Sequence, residues 1–397
     1  MKKKKNFTHP DTLAVHAGQR DYGKYAHPVP HLVLNSAVLL DSIQEGWDML
    51  TNETVDNIAY QRYSNPTVNI LEKKFALMER AKFSLAINSG MSACYLVFRC
   101  FLKSGDHILT QHGLYHEISD QIIADKGDFG VDYSLIEDHS IENFEKSIRK
   151  NTKLIFVESP TNPVMFDVDI QGLAKLCNEK GVILIVDNTF LTQEYQKPLE
   201  LGAHLTLYST TKSINGHGDA MGGIISTHDI NLYNQLRRYR DNTGLIMDPF
   251  SAWLTIRGLK TIRLRLEKQS ENAKAVVAFL RRNYPQYKVL YPEDCQYAKK
   301  NQTTGTGGIV SLVLHSKEQG TAFMNHLSLF KIGTTFGNLE SLCYHFATFT
   351  RPSRDISKIG LPQGLVRLSI GIENVEDIID DIKNALDPSE EECGKKN

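Results

Sequence analysis

The 397-residue sequence predicts an α/β fold, with a mainly parallel central sheet, helices on both faces, and a smaller C-terminal α+β domain. Three observations carry that prediction. Two short apolar runs, residues 153–157 and 182–186, flank a stretch in which Leu173, Leu176 and Cys177 recur at helical spacing, the signature of a βαβ unit. Neither run alternates with polar residues, as expected of strands buried on both faces. After about residue 250 the alternation of strand and helix gives way to a different texture.

Taken in order, residues 1–60 are polar, with Pro28 and Pro30 and few periodic segments, and read as an arm rather than a domain. The basic start, Met1 to Lys5, is followed by Asn6-Phe7-Thr8-His9-Pro10 rather than by an apolar stretch, so it reads as a solvated tail and not as a signal peptide. Residues 61–250 alternate helices with short strands, including a third apolar run at 205–208. A basic helical stretch at 257–268 then leads into a region with strand candidates at 308–314 and 365–369 and a closing helix near 375–386, with the boundary at 245–260.

Composition narrows the function. With 41% hydrophobic residues the chain has the material for a core. Its 45 basic and 46 acidic side chains leave a net charge of -1, so no global field gathers nucleic acid or anionic lipid. The basic groups at 237–240 and 257–265 read as solvated helix faces. No apolar run approaches the ~18–20 residues of a membrane span. The six cysteines form no Cys-x-x-Cys pair and no evident framework, which suits a reducing cytoplasm, and no metal-binding motif is present. The expected protein is cytoplasmic.

In an open parallel sheet, ligands bind beyond the carboxyl ends of the strands. Here those ends read Glu158-Ser159-Pro160-Thr161-Asn162-Pro163, Asp187-Asn188-Thr189 and Ser209-Thr210-Thr211-Lys212. Lys212 stands beside hydroxyls and before a glycine-rich passage, the setting for an amine that forms a Schiff base with an aldehyde cofactor. A carboxylate on the neighbouring strand, Asp187, would keep a pyridine nitrogen protonated, as pyridoxal phosphate chemistry needs. Upstream, Ala86 to Ala93 passes from a strand end through Ser89, Gly90 and Met91 into a helix, which places free amides and the positive helix end where a phosphate binds. The glycines at 305, 307 and 308 precede a strand and read as a turn. His217, alone among glycines, reads as structural. No P-loop or dinucleotide fingerprint occurs.

These motifs resemble the PLP-dependent transsulfuration enzymes of Cys/Met metabolism, a family that includes cystathionine γ-synthase, the cystathionine lyases, methionine γ-lyase and the homoserine sulfhydrylases. The resemblance runs from Thr12 to Ile382 and includes Tyr60-Gln61-Arg62-Tyr63-Ser64-Asn65-Pro66-Thr67, Ser89-Gly90-Met91, Gly337-Asn338-Leu339-Glu340-Ser341-Leu342 and Val366-Arg367-Leu368-Ser369. It implies the aspartate-aminotransferase-like (type I) fold, with residues 1–60 as an arm reaching a neighbouring subunit, 61–250 as the large cofactor domain and 251–397 as the C-terminal domain. It implies that Lys212 carries the coenzyme and shuttles protons, and that Asp187 pairs with its ring nitrogen. Tyr115 would stack on the ring and serve as acid or base, with Asn162 near its phenolic oxygen. Ser89, Gly90, Met91, Ser209 and Thr211 would hold the phosphate, reached also by Tyr60 and Arg62 of a neighbouring subunit. Arg367, with Thr335 and Asn162, would bind the substrate. The implied assembly is a homotetramer whose active sites are shared within dimers.

The reaction expected is γ-elimination at a carbon–sulfur bond of an L-amino acid such as cystathionine or methionine, giving 2-oxobutanoate, ammonia and a thiol. γ-Replacement by a cystathionine γ-synthase or an O-acyl-homoserine sulfhydrylase uses the same groups, as does β-elimination, and a non-catalytic member is disfavoured by intact Lys212, Asp187 and Arg367. The sequence departs from the family's pattern at His116-Glu117-Ile118, at Thr335-Phe336 and at His345-Phe346. If Glu117 faces the substrate's far end, it would favour a cationic tail; otherwise it points to solvent.

Overall fold

The computed structural model describes residues 8–18, 27–51, 60–349 and 361–387. The basic start at Met1 to Lys5 and Cys393 lie outside them. Seven strands form the first sheet: β1 (Phe83–Ile87), β2 (His107–Gln111), β3 (Asp132–Ile136), β4 (Thr152–Glu158), β5 (Ile183–Asp187), β6 (Leu205–Ser209) and β7 (Gly223–Thr227). Their order is β1-β7-β6-β5-β4-β2-β3. β7 runs antiparallel to both of its neighbours, and every other pairing is parallel.

The unalternating apolar runs have the expected cause. On β4, Leu154 and Phe156 pack into one core with Leu96, Val97 and Phe98 of the helix Gly90–Phe101. Ile155 and Val157, pointing the other way, pack with Leu173, Leu176 and Cys177 of the helix Ile170–Lys180. Each face of the strand is thus covered by a helix. Asp169 caps that second helix by accepting from the Gly172 amide at 3.0 Å, and Gly181, in the left-handed conformation at φ 67°, ends it.

The helices Pro249–Leu259 and Ile262–Asn283 lead to a second sheet of β8 (Lys288–Leu290), β9 (Ile309–Val313), β10 (Lys331–Ile332), β11 (Leu342–His345) and β12 (Leu365–Ser369), ordered β10-β11-β12-β9-β8. The helix Val375–Leu386 buries Ile378 and Ile382 against it.

Three expectations are corrected. The basic stretch at 257–268 is not one helix, because the chain turns at Lys260 and Thr261. Arg265 is not on a solvated face: it is 5% exposed, and its guanidinium donates to the carbonyls of Ser213 (2.8 Å) and Gly258 (2.9 Å). Arg240 is likewise interior, paired with Glu72 at 2.9 Å and with Asp241. A buried guanidinium needs such partners for its donors, and the linear sequence does not show which carbonyls the fold brings up. Gly216, at φ 73°, is required here, since a Cβ would lie 1.7 Å from Arg265 Nη1. The glycines at 305, 307 and 308 do precede a strand, β9, but form no hydrogen-bonded turn; Gly307 has φ 71° and the chain bends at Gly308.

Among its described residues the N-terminal segment carries two helices, Pro10–His16 and Ile43–Thr51, and these residues lie partly along their own chain. The Val33 amide donates to Thr67 Oγ1 at 2.9 Å, and Trp253 Nε1 donates to the Pro30 carbonyl at 3.1 Å. Leu39 and Ile43, however, are 97% and 94% exposed.

Candidate active site

The carboxyl ends of β4, β5 and β6, the start of the helix Gly90–Phe101 and the Thr334–Arg367 side of the second sheet enclose a cavity of about 380 Å³. Ser89, Gly90, Met91, Tyr115, Asn162, Asp187, Ser209, Thr211, Lys212 and Arg367 all line it. Thr335 joins them through its contacts. Tyr60 and Arg62 do not line it. Arg62 instead donates to the Asp241 carbonyl and sits 4.7 Å from the centre of the Tyr63 ring. A larger cleft of about 550 Å³ near Glu194 has cations already paired within its walls, Arg80 with Glu200 at 2.9 Å and Arg263 with Glu267 at 2.8 Å.

At one end of the cavity, Ser89 caps the helix by accepting from the Ser92 amide at 3.0 Å. The amides at the first helical positions, Gly90 and Met91, have no carbonyl one turn back to receive them. A Cβ on Gly90 would lie 2.8 Å from Ser209 Cβ, so glycine is what lets this helix start meet the end of β6. The result is a group of amides and hydroxyls at the positive end of a helix, the kind of place that can hold a phosphate. Thr189, unassigned in the sequence reading, ties β5 to β6 there: its hydroxyl accepts from the Ser209 amide at 2.8 Å, and its amide donates to Asp187 at 2.9 Å.

Under the cavity, Asp187 and Glu158 stand side by side in register on β5 and β4. Burial raises the Asp187 carboxyl to about 6, and burial together with the Asp187 charge raises Glu158 well above the ordinary range. Two carboxylates in one buried site do not both ionise readily. A cationic ring nitrogen at Asp187 would supply the counter-charge. Glu158 accepts from the Tyr115 amide (3.0 Å) and the Asn162 amide (3.1 Å), so one buried group fixes the backbone of two cavity residues.

The Lys212 amine donates to Thr335 Oγ1 at 3.1 Å. Burial, reinforced by the Arg367 charge, lowers its pKa to about 8 and so favours the neutral, nucleophilic form. The Arg367 guanidinium is caged by three rings, with Phe336 and Tyr344 each at 5.4 Å and Phe346 at 5.8 Å. It donates to the Thr335 carbonyl at 2.8 Å and to Asn162 Oδ1 at 3.4 Å, while its Nε is buried without a partner. Tyr115 precedes the helix His116–Phe129, and burial, followed by the nearby Glu117 charge, raises its phenol above the usual range. Cys94, Ile118 and Met221 also line the cavity and were not marked by the sequence, which gives a thiol or an apolar side chain no distinguishing signal. His217 bonds the Asn215 carbonyl at 2.7 Å and His345 bonds Thr348 and the Gln363 carbonyl; neither lines the cavity.

An amine of lowered pKa, a buried carboxylate across the strand ends and free amides at a helix start together could hold an aldehyde coenzyme with a phosphate tail. Residues 11–387 match the family model described as Cys/Met metabolism PLP-dependent enzyme. The chain is 35% identical over 392 residues to the L-methionine gamma-lyase of Fusobacterium nucleatum subsp. nucleatum, covering 95% of this chain and 97% of that one. It is 36% identical over 336 residues to the cystathionine gamma-lyase of Bacillus subtilis, covering 83% and 88%. The crystal structure of metB from Corynebacterium glutamicum superposes with a TM-score of 0.89 at 34% identity, over 96% of this chain and 98% of that one. The chain belongs to the Cys/Met metabolism family of PLP-dependent enzymes, and it is a pyridoxal phosphate-dependent lyase of that family. Among the described residues no helix is long and apolar enough to cross a membrane, and no cluster of potential metal ligands occurs.

Proposed function

We propose that the protein is a carbon–sulfur lyase that performs γ-elimination on cystathionine, methionine or a related L-amino acid, giving 2-oxobutanoate, ammonia and a thiol. The observation that carries this reading is the pairing of Lys212 with Arg367 through one residue, Thr335, whose hydroxyl meets the amine and whose carbonyl meets the guanidinium. An α-carboxylate taken by the unspent donors of Arg367 stands within one residue's span of the base that must take the Cα proton.

When bound, pyridoxal phosphate supplies an electron sink for charge that develops at Cα. The residues supply the rest. Gly90 and Met91 amides with Ser89, Ser209 and Thr211 hold the phosphate, and Asp187 holds the ring nitrogen protonated. Asn162 would orient the ring oxygen and Tyr115 would pack against the ring. Lys212 would carry the coenzyme at rest and would move protons from Cα and Cβ; the Cγ–sulfur bond breaks with its electrons on sulfur, which takes up a proton to leave as the thiol, and one water is consumed in releasing 2-oxobutanoate and ammonia. Methionine and cystathionine gamma-lyases at 35–36% identity accord with this reading.

Tyr60 and Arg62 serve the phosphate of a neighbouring subunit in this account, which their position away from their own cavity and the exposed Leu39 and Ile43 support. The working form is then a homotetramer built of dimers with shared sites. A cytoplasmic setting accords with the five free cysteines among the described residues.

The test is a panel of cystathionine, methionine, homocysteine and acylated homoserines, with ketoacid, ammonia and thiol measured together. A lyase releases 2-oxobutanoate from a sulfur amino acid with no added nucleophile. Turnover of acylated homoserine only when cysteine is supplied would identify γ-replacement instead.

A further inference from the structure

We infer that Tyr208, which lies outside the cavity, is a positioning residue for the coenzyme: its hydroxyl joins the buried Glu79 carboxylate to Asn188 and so fixes the strand ends that carry Ser209 and Asp187. The inference rests on the coenzyme seat described above and is independent of which bond the enzyme breaks.

β5 and β6 stop pairing just below the site. Their last register pair is Asp187 with Leu207, followed by one more bond, from the Asn188 amide to the Leu207 carbonyl at 2.9 Å. Past that point side chains hold the two ends together. On the cavity side Thr189 does so by accepting from the Ser209 amide. Side chains alternate along a strand, so Thr206 and Tyr208 face away from Ser209, toward the helix Pro66–Glu79, where the Tyr208 ring meets Phe75 edge-on at 5.0 Å. On that face Asn188 Nδ2 donates to the Tyr208 hydroxyl at 3.2 Å. Asn188 Oδ1 accepts from Gln196 Nε2 at 3.1 Å, and Gln196 Nε2 also donates to the Ser159 carbonyl at 2.7 Å. One buried chain thus runs behind the ends of β6, β5 and β4. Tyr208, Asn188 and Ser159 each adjoin in sequence a residue that lines the cavity: Ser209, Asp187 and Glu158.

Glu79 closes the chain at its other end. It is fully buried, and Thr206 Oγ1 donates to it at 3.1 Å, as the Tyr208 hydroxyl does beside it. The cation whose charge it feels, Lys197, gives its own amine to the carbonyls of Met78 (2.7 Å) and Gln193 (2.6 Å). Burial, with a smaller push from the Glu200 charge, raises the Glu79 carboxyl to about 7 against the pull of Lys197 and the two hydroxyls. Once ionised it can only accept. The single Tyr208 proton is then committed to Glu79, which leaves the Tyr208 oxygen to accept from Asn188. A carboxylate outside the cavity therefore sets the sense of the bond that holds Asn188, and with it the neighbouring Asp187.

The experiment compares wild type, Tyr208→Phe and Thr206→Val as holoenzymes at pH 8. Both variants take one hydroxyl from Glu79 and keep the shape, but only Tyr208 reaches Asn188. Both should lower the urea midpoint. Tyr208→Phe alone should raise the dissociation constant of pyridoxal phosphate roughly tenfold, the size of one hydrogen bond to a charged network. It should also shift the visible absorbance of the bound coenzyme, as Asp187 moves against the ring nitrogen, and lower kcat more than it raises KM. Thr206→Val should leave the dissociation constant and the absorbance as in wild type. A dissociation constant that moves less than about threefold in Tyr208→Phe with unchanged absorbance, or equal changes in both variants, overturns the inference. Should Tyr208→Phe not fold, Glu79→Gln, which removes the charge that orients the Tyr208 proton, is read by the same measurements and the same limits. If wild type releases ketoacid from neither cystathionine nor methionine, the lyase reading fails, while coenzyme affinity and absorbance still decide the role of Tyr208.

Discussion

Glu158 and Asp187 face each other across β4 and β5 as register partners, two buried carboxyl groups with different tasks. Asp187 points its charge into the cavity from beneath, while Glu158 is spent on the amides of Tyr115 and Asn162. Replacing Glu158 by Ala leaves both amides without their acceptor. The expected cost is about 1–3 kcal/mol in unfolding free energy per unmet buried group, together with weaker coenzyme retention as Tyr115 loses its anchor. Urea unfolding of the two proteins measures the first effect and coenzyme release by dialysis the second. An unchanged midpoint and unchanged release would show that Glu158 positions nothing.

Lys212 has a pKa of about 8 because burial, with the Arg367 charge behind it, disfavours its ammonium form. A lysine at its ordinary value of 10.5 is neutral in about one molecule in three thousand at pH 7; at a pKa of 8 the fraction is about one in ten. The sign follows from the neutral amine being the nucleophile. The rate at which apoenzyme takes up pyridoxal phosphate should climb between pH 6 and 8 and level off above about 8.5. A rate still climbing tenfold per unit at pH 9.5 would contradict the shift.

Arg367 is held by two acceptors, the Thr335 carbonyl and Asn162 Oδ1, and caged by three rings, with its Nε still unspent. Replacing it by Lys keeps a positive charge but loses the planar pair of donors that matches a carboxylate. The expected result is a fall of roughly a hundredfold in kcat/KM, carried mainly by KM, as for loss of about 2–3 kcal/mol of charge-assisted bonding. A variant whose KM stays within threefold of wild type would remove Arg367 from carboxylate binding.

The sharing of sites between subunits has a genetic test. In a mixture of Lys212→Ala and Arg62→Ala chains, a hybrid dimer contains one complete site, with Lys212 from one chain and Arg62 from the other. Co-expression should restore up to about a quarter of wild-type activity, given random pairing in dimers of C2 symmetry. If Arg62 serves its own chain's cavity, every hybrid site is damaged and no activity returns.

Much of this architecture is legible in the sequence, for identifiable reasons. Buried parallel strands are largely apolar on both faces, so β4 and β5 stand out as apolar runs, with β6 interrupted only by the buried Thr206, and the ligand-facing groups follow at their carboxyl ends in a fixed position. Ser89, Asp187, Ser209 and Lys212 are found by that rule. The rule fails where a residue acts through the backbone of another segment. Glu158 is visible as a carboxylate at a strand end, but its bonds to the Tyr115 and Asn162 amides depend on loops that fold back over β4. Arg265 and Arg240 mislead in the same way, since helical spacing marks a polar face without showing whether water or a carbonyl lies opposite. Glu117 is a further case, since the sequence does not show that His116, beside it, bonds its carboxylate.

The account stands on the amine of Lys212 as the attachment point of the coenzyme. Reducing the holoenzyme with borohydride fixes that link, and peptide mapping by mass spectrometry locates it. One pyridoxyl group per chain on Lys212 is the predicted result. A label on another lysine, or no label on a protein that retains its coenzyme, would contradict the account.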